Sequence, residues 1–350
     1  MSAPKNAAAW IKAPHAQLEV DEAPWYEPKE GEVLVKVHAV SIQPVDWKIQ
    51  AYDFFVKEYP FILGTDSAGT VEAIGAGVTH VKKGDRVLAH HQSLGTGNPR
   101  DSSFQHYAIA PGSAVSPIPS SLTFEQATVL PLALSTAADG LYQPDLLALP
   151  LPKPDAPNPE GNGKTLLVWG GSSSVGAAAV QLGVASGFRV VATASPANFE
   201  FVKSLGASAV FDYRSSTVAD DLIAELKKDG EEFAGAYDAI SENGSVELVA
   251  KVVSLVGGRQ FIATTLPPPK DLPEGVKAAG VLAPNVVSRN NAAIAKAIYH
   301  DFVPRALETG ALQAKPEPLP VEGKGLEAVQ SGLDRQKEGV SARKVVVRIL

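Results

Sequence analysis

The chain has no cysteine, and it has no uninterrupted apolar run of about 18 residues, the length that spans a bilayer. The lack of cysteine excludes disulfides, a thiolate nucleophile, cysteine-ligated zinc and iron–sulfur clusters. Residues 1–14 also lack the apolar core of a signal peptide. These absences predict a cytoplasmic protein with no membrane contact.

Positive charge is in short supply as well. The 31 Lys and Arg residues are outnumbered by 38 Asp and Glu residues, and the formal net charge is −7. Since nucleic-acid affinity depends mainly on Lys and Arg contacts to phosphate, this balance argues against a nucleic-acid partner. A length of 350 residues suits two domains of about 100–200 residues each.

The first third of the sequence predicts short strands. Residues 33–40 alternate apolar and polar side chains, as a half-buried strand does, and residues 69–74 and 86–89 are further strand candidates. Gly75 and Gly84 mark turns after them or between them. Strands of this length and spacing predict a rolled, barrel-like sheet.

The pattern changes after residue 120. Thr123, followed three residues later by Gln126, predicts a capped helix start, and residues 134–142 predict another short helix. Residues 144–163 contain six prolines, and we interpret them as an exposed loop.

From residue 165 strand patterns alternate with helix patterns, which predicts a parallel, doubly wound sheet. Helix then follows at residues 291–309, and an apolar strand at 343–350 is expected to return to the N-terminal domain. We divide the chain into residues 1–130, 131–290 and 291–350, the last returning to the first. The strand candidates of the parallel sheet are residues 165–169, 188–194, 209–212, 237–240 and 260–264.

A glycine-rich turn separates the first of these strands from a helix of small residues. The free N–H groups and partial positive charge of a helix N-terminus suit a pyrophosphate, and glycines allow close approach. The turn departs from G-x-G-x-x-G at its middle position, where Ser173 stands. A purely structural turn is the alternative. The candidate cofactor-binding residues are Gly171, Ser172, Ser173, Ser174, Val175 and Gly176.

The second strand of this unit is followed by residues without Asp or Glu. An NAD site usually places an acidic residue there for the ribose hydroxyls. Its absence favours NADP(H), with Ser195 and Asn198 as neutral donors to the 2′-phosphate. The alternative is an ordinary loop.

Several segments carry a specific resemblance. Residues 60–87 read PFILGTDSAGTVEAIGAGVTHVKKGDRV, residues 41–48 read SIQPVDWK, and Gly206-Ala207 is followed by Asp212-Tyr213-Arg214. Together they resemble the medium-chain dehydrogenase/reductase superfamily over nearly the whole chain. The resemblance implies an α/β protein, with an N-terminal GroES-like β-barrel-type catalytic domain and a Rossmann doubly wound parallel sheet.

Zinc members of that superfamily have cysteine at the position of Gln43 and histidine at the position of Thr65. Thiolate and imidazole are the ligands that catalytic zinc prefers, so we predict no metal. The seven histidines lack ligand spacing, and we expect the His90–His91 pair to be a surface or core feature. The resemblance is therefore to the zinc-independent quinone oxidoreductases.

Within that branch, residues 134–137, 195–199 and 210–214 are similar to fungal trans-acting enoyl reductases of polyketide pathways. The resemblance implies NADPH-dependent reduction of a conjugated C=C bond or a quinone. It implies a small-molecule substrate, free or bound to a polyketide synthase, and a monomer or homodimer. An alcohol or carbonyl dehydrogenase and a non-catalytic NADPH-binding protein are the alternatives.

The resemblance also suggests roles for individual residues. Lys48 would donate to the substrate carbonyl oxygen, unless it is a solvated surface lysine, and Thr136 would hydrogen-bond the nicotinamide ribose, unless it only begins a helix. Gln43 and Tyr213 join the cofactor-binding set. An aromatic cluster could wall an apolar substrate pocket or belong to the core; its members are Trp47, Tyr52, Phe54 and Phe55.

Overall fold

The computed structural model describes residues 5–288 and 292–350. The chain forms two units. The first comprises Met1–Leu132, Val287–His300 and Glu317–Leu350, and the second comprises Ala133–Val286 and Asp301–Pro316.

The strands are numbered in chain order: β1 (Asn6–Ile11), β2 (Leu18–Ala23), β3 (Glu32–Ser41), β4 (Phe61–Ile62), β5 (Asp66–Ile74), β6 (Arg86–His90), β7 (Tyr107–Pro111), β8 (Val115–Pro117), β9 (Lys164–Trp169), β10 (Arg189–Ala194), β11 (Ala209–Asp212), β12 (Glu232–Asp238), β13 (Phe261–Thr264), β14 (Lys277–Gly280), β15 (Glu317–Pro320) and β16 (Arg343–Arg348).

The helices are α1 (Pro44–Tyr52), α2 (Ser93–Thr96), α3 (Phe124–Ala127), α4 (Pro131–Tyr142), α5 (Ser174–Ala185), α6 (Phe199–Ser204), α7 (Val218–Leu226), α8 (Ser245–Val256), α9 (Asn285–Ser288), α10 (Ala292–Ala295), α11 (Val303–Thr309) and α12 (Val329–Lys337). A π-helical segment, Lys296–Phe302, joins α10 to α11. The predicted helix at 291–309 begins outside the described residues.

The first unit is organised around β3. This strand pairs antiparallel with β5, β7 and β16, and the wider sheet has the order β15-β16-β3-β5-β6-β8. A smaller sheet has the order β2-β1-β4. Val33, Val35 and Val37 of β3 are fully buried because alternate residues of a strand point to the same face. The predicted barrel-type architecture is confirmed.

Strand β16 completes this unit. Val345, Val346 and Val347 of β16 are fully buried, and Val346 pairs with Ser41 of β3. The structure divides residues 291–350 more finely than the sequence did, however, since Asp301–Pro316 belongs to the second unit. There Gln313 donates its backbone N–H to Gln181 Oε1 at 2.7 Å.

The second unit contains a parallel sheet of six strands in the order β11-β10-β9-β12-β13-β14, and a helix lies between each pair of consecutive strands from β9 to β13. Small residues of α5 allow that helix to pack tightly on the sheet. A Cβ atom added to Gly183 would lie 2.9 Å from Leu166 of β9. The predicted Rossmann-type doubly wound sheet is confirmed.

The proline-rich segment, residues 144–163, is largely an exposed loop, as predicted, with twelve of its twenty residues exposed, but part of it is buried. Leu146, Leu147 and Leu149 are buried, and so is Asn158, whose side chain donates to the carbonyl oxygen of Leu151 at 2.9 Å. The leucines supply apolar area that outweighs the polar, proline-rich composition of the segment. Among the described helices, none combines the length and the hydropathy that crossing a membrane requires.

Candidate functional site

The glycine-rich turn in the second unit links the end of β9 to the start of α5. Ser173 is the N-cap of α5, and its Oγ accepts from the backbone N–H of Gly176 at 3.0 Å. This bond explains the serine in place of the middle glycine, since capping stabilises the helix start. The backbone N–H of Gly170 donates to Thr193 Oγ1 at 3.0 Å, and that of Gly171 donates to the carbonyl oxygen of Thr193 at 2.8 Å. The turn is thereby fixed to β10.

Two glycines of the turn are required by packing. A Cβ atom on Gly176 would lie 2.1 Å from the carbonyl oxygen of Gly170, and one on Gly171 would lie 2.9 Å from Val202 Cγ1. Beside them, Ser172, Ser174 and Val175 are partly exposed. The first N–H groups of a helix have no intrahelical partner. The turn therefore presents backbone donors at the surface of the unit.

The next two strand ends lie beside this turn. Ala194, the last residue of β10, is in register with Asp212, the last of β11. After β10, Asn198 donates to Ser195 Oγ at 3.0 Å, so the two predicted neutral donors contact each other. The first acidic residue after the end of β10 is Glu200, so none follows the strand directly.

Tyr213 and Arg214 follow β11 at the same edge. The Tyr213 ring lies 6.5 Å from the ring of Trp169, the last residue of β9, and the Arg214 guanidinium lies 5.6 Å from the Tyr213 ring. Arg214 Nε donates to Asp212 Oδ1 at 3.2 Å. The sequence analysis names Tyr213 as a candidate but not Arg214, although the Asp-Tyr-Arg triplet at residues 212–214 could have indicated Arg214 as well.

Thr136 lies on α4 and is half-buried. Its carbonyl oxygen accepts from the Tyr237 hydroxyl at 2.8 Å, and Tyr237 on β12 is fully buried. One turn further along the helix, the buried Asp139 accepts from the backbone N–H of Leu282 at 2.9 Å. These bonds fix α4 within the second unit. They leave the proposed ribose contact of the Thr136 side chain a prediction.

In the first unit, Gln43 is the N-cap of α1 and is buried in a polar cluster. Its Nε2 donates to Asp66 Oδ2, and its Oε1 accepts from Lys344 Nζ. Its backbone N–H donates to Asp46 Oδ2 at 2.7 Å. Asp66 also accepts from Ser41 Oγ at 2.7 Å and from the backbone N–H of Leu132 at 2.7 Å. We call Gln43, Asp46, Asp66 and Lys344 the buried polar cluster.

Burial shifts the acid–base equilibria of this cluster. It raises the pKa of Asp46 to about 7, with the neighbouring Asp66 charge adding to the effect, and it raises the pKa of Asp66 to about 6. It lowers the pKa of Lys344 to about 8, against the opposing pull of the two carboxylates. Within the described residues, Asp46 Oδ1 and Thr65 Oγ1 are buried without a hydrogen-bond partner. Sequence reasoning missed Asp46, Asp66 and Lys344 as members of a site.

Lys48 and the predicted aromatic pocket lie on and after α1. Lys48 is half-buried, with Nζ 5.8 Å from the Trp47 ring. Tyr52 and Phe55 are 65% and 51% exposed, which rules out the core alternative for both. Trp47 instead lines a surface pocket of about 280 Å³ whose other walls are mostly polar: His15, Gln17, Gln50, Gln330, Asp334 and Lys337. The apolar substrate pocket stays a prediction.

His90 and His91 are core residues. His91 Nε2 lies 2.7 Å from Ser67 Oγ, and its Nδ1 lies 2.9 Å from the carbonyl oxygen of Ile109. Burial lowers the pKa of His90 to about 3 and that of His91 to about 4, so both rings are neutral at physiological pH. In the part of the chain that the structure describes, no group of three or more His, Asp or Glu residues could hold a metal ion.

The GroES-like barrel-type unit and the Rossmann-type sheet are the fold of a two-domain oxidoreductase, and comparisons with known proteins specify the family. Residues 29–120 match the alcohol dehydrogenase GroES-like domain. Zinc-binding alcohol dehydrogenase domain-containing protein cipB of Emericella nidulans is 42% identical over 345 residues, covering 98% of each chain. Trans-enoyl reductase himH of Aspergillus japonicus is 43% identical over 349 residues, covering 98% of this chain and 97% of its own.

A solved alcohol dehydrogenase superfamily protein from Novosphingobium aromaticivorans has a TM-score of 0.76 and 25% identity, covering 99% of this chain and 100% of its own. The chain belongs to the medium-chain dehydrogenase/reductase superfamily and is one of its oxidoreductases.

Proposed function

We propose that this protein is a zinc-independent, NADPH-dependent reductase of C=C bonds conjugated to a carbonyl, or of quinones. The observation that carries the proposal is the Lys344 ammonium, buried against Gln43 at the position where zinc members of the superfamily have a cysteine ligand. The kinship with trans-enoyl reductase himH supports the same reaction class. An acyl group carried by a polyketide synthase is then a substrate form to be tested beside free enones.

The cofactor assignment depends on the turn and the two strand ends beside it. The N–H groups of Ser174 and Val175 would hold the pyrophosphate, since a helix N-terminus favours an anion. Ser195 and Asn198 would receive the 2′-phosphate. Arg214 adds a positive charge at this edge and already neutralises Asp212, the nearby carboxylate that could otherwise bind ribose hydroxyls. This set favours NADP(H) over NAD(H).

The buried polar cluster does not suit zinc. Gln43 offers an amide rather than a thiolate, and both of its polar side-chain atoms are already hydrogen-bonded. A divalent cation placed there would lie close to the Lys344 ammonium, and the repulsion would be strong in a buried setting. The proposed mechanism therefore contains no strong Lewis acid. Such a mechanism favours substrates in which conjugation spreads the negative charge that develops during hydride transfer.

Bound NADPH would provide hydride chemistry at the β-carbon of the conjugated system, and a proton from solvent would complete the reduction at the α-carbon. Negative charge develops on the carbonyl oxygen as the C=C electron pair moves away from the β-carbon. Lys48 would donate a hydrogen bond to that oxygen, and its half-buried position strengthens the interaction relative to water. Trp47, next to Lys48, would shield the ammonium from solvent on one side.

A substrate panel tests the proposal. Purified protein should oxidise NADPH in the presence of enones, enoyl thioesters or quinones, and chelator should leave the rate unchanged. Isolated ketones and secondary alcohols serve as the matched negative substrates. A preference for secondary alcohols with NAD⁺, or loss of turnover on chelation, would refute the proposed reaction.

A further inference from the structure

Helix α1 starts in an unusual way for a short helix. It has nine residues, and only Asp46 and Ile49 are buried. Isolated helices of this length are unstable in water, and protein helices are usually held by an apolar face. Ile49 is the one buried apolar residue of α1, and Val45 and Trp47 pack only partly against the same core. Polar contacts at the first turn therefore contribute to where α1 begins.

Those contacts come from the buried polar cluster. The Gln43 side chain is hydrogen-bonded at both ends, by Lys344 at Oε1 and by Asp66 at Nε2. Its backbone N–H is bonded to Asp46, three residues along the helix. The helix start is thus tied to β16 through Lys344 and to β5 through Asp66.

Lys344 is the only positive charge among these four residues, and it is 3% exposed. Asp46 and Asp66 are 1% and 0% exposed, and they are the two charged groups that act on Lys344. Buried carboxylates are stable only when paired or hydrogen-bonded. Loss of Lys344 would remove the partner of Gln43 and leave the carboxylates without a cation.

We propose that Lys344 is a positioning residue for Lys48. By holding the Gln43 side chain it fixes the first turn of α1, and Lys48 lies five residues after Gln43 on that helix. Lys344 itself touches neither substrate nor cofactor. The inference rests on the proposed function in one respect, which is that Lys48 acts as the donor to the substrate oxygen.

The experiment compares three changes in the full-length protein. Lys344→Met removes the ammonium, Lys344→Arg keeps a charge, and the double variant Lys344→Met/Asp66→Asn removes one charge of each sign. The double variant keeps the test valid if Lys344→Met does not fold. Arg100→Met is the matched control, since Arg100 is another buried cation of the first unit, bonded to Glu32 at 2.6 and 2.8 Å.

Two readouts separate positioning from general stability. The first is the NMR signal of Lys48 after reductive ¹³C-methylation, assigned by its loss in Lys48→Arg. The second is kcat and KM on an enone. We expect the Lys48 signal to move and kcat to fall about 100-fold in the charge-compensated variant, as misplacement of a catalytic group by about 1 Å can cost that much. KM and NADPH affinity should change little, and Lys344→Arg should restore most of kcat.

Arg100→Met should lower thermal stability while leaving the Lys48 signal and kcat at their wild-type values. A folded double variant with a wild-type Lys48 signal would refute the positioning role, and so would an equal shift in Arg100→Met. If the Lys48 signal moves but the wild-type protein reduces no enone or quinone, the positioning role stands and the proposed reaction fails.

Discussion

The glycine-rich turn of the second unit and the start of α1 in the first unit are both places where a strand gives way to a helix, yet they are held differently. The turn depends on backbone contacts, on Gly171 and Gly176, and on one serine hydroxyl. The start of α1 depends on buried ionisable side chains, one of which lies 301 residues away from Gln43 along the chain.

This difference has consequences for chemistry and for stability. A site built from backbone N–H groups is independent of pH and suits an anion such as pyrophosphate. A site anchored by buried charges can hold a side chain firmly, but its stability changes as those charges titrate. If the two sites differ in this way, a change in the buried polar cluster should have a pH-dependent effect on stability.

The largest expected effect is at Lys48. Lys48→Met keeps most of the side-chain length and removes the donor, so turnover on an enone should fall about 100- to 1000-fold, the usual loss for one oxyanion donor. NADPH affinity should stay at the wild-type value, because the glycine-rich turn that we propose binds the cofactor consists of other residues. The measurements are steady-state kinetics and cofactor fluorescence titration.

Lys57→Met is the control for Lys48→Met, since Lys57 is an exposed lysine that follows α1. It makes the same change in net charge and should leave turnover unchanged. Wild-type turnover in Lys48→Met would assign the oxyanion role to another residue.

The next effect concerns pH. The pKa of Asp46 is raised to about 7 by burial, so the folded protein keeps a proton that the unfolded chain loses above its ordinary pKa near 4. The contribution of this proton to stability is therefore complete at low pH and is lost as pH rises through 7. Asp46→Asn cannot titrate, and its stability relative to wild type should rise by on the order of 2 kcal/mol between pH 4 and 7.5.

Thermal midpoints of both proteins across that range measure this change. Asp155→Asn, an exposed carboxylate of the second unit, serves as the control and should follow the wild-type curve in parallel. If the difference in thermal midpoint between Asp46→Asn and wild type were the same at every pH, Asp46 would be ionised throughout this range. The start of α1 would then be as insensitive to pH as the glycine-rich turn.

The same contrast explains what could be predicted from the sequence. The turn at residues 170–176 was predictable because its signals are local: a buried strand, glycines and a helix of small residues within a short segment. Strands β3, β5, β6, β9 to β13 and β16 were predictable for the same reason, whereas the other seven strands were not predicted. The pairing of the apolar C-terminal strand with β3 followed from its need for a partner.

The buried polar cluster was not predictable, because Lys344 and Asp66 carry no local pattern that distinguishes them from surface charges. The exposed positions of Tyr52 and Phe55 and the buried leucines of the proline-rich segment were missed for a related reason. Side-chain burial depends on what packs against a residue from elsewhere in the chain, and composition reports only an average.

A smaller effect tests the packing of the turn. Gly176→Ala places a Cβ against the Gly170 carbonyl, so we expect a loss of about 1–3 kcal/mol in stability together with weaker NADPH binding. Gly280→Ala is the matched control in the same unit, because a Cβ there would meet its nearest atom at 3.7 Å, an ordinary contact. Thermal unfolding and cofactor titration measure both variants. Wild-type stability in Gly176→Ala would show that the turn can relax.

The smallest expected effect is on cofactor choice. If Arg214 reaches the 2′-phosphate, it must leave Asp212, with which it forms an exposed ion pair worth little in water. A hydrogen bond from guanidinium to phosphate is worth about 1.5–3 kcal/mol, and the lost ion pair offsets part of it. Arg214→Met should therefore weaken NADPH binding about tenfold. It should not weaken NADH binding, since the freed Asp212 could accept from the ribose hydroxyls. Arg305→Met, another exposed arginine of this unit, should alter neither. Titration of both cofactors by fluorescence decides the matter. Equal weakening of NADPH and NADH would assign Arg214 to the adenine or the pyrophosphate, and no weakening would leave Ser195 and Asn198 as the residues that select the phosphate.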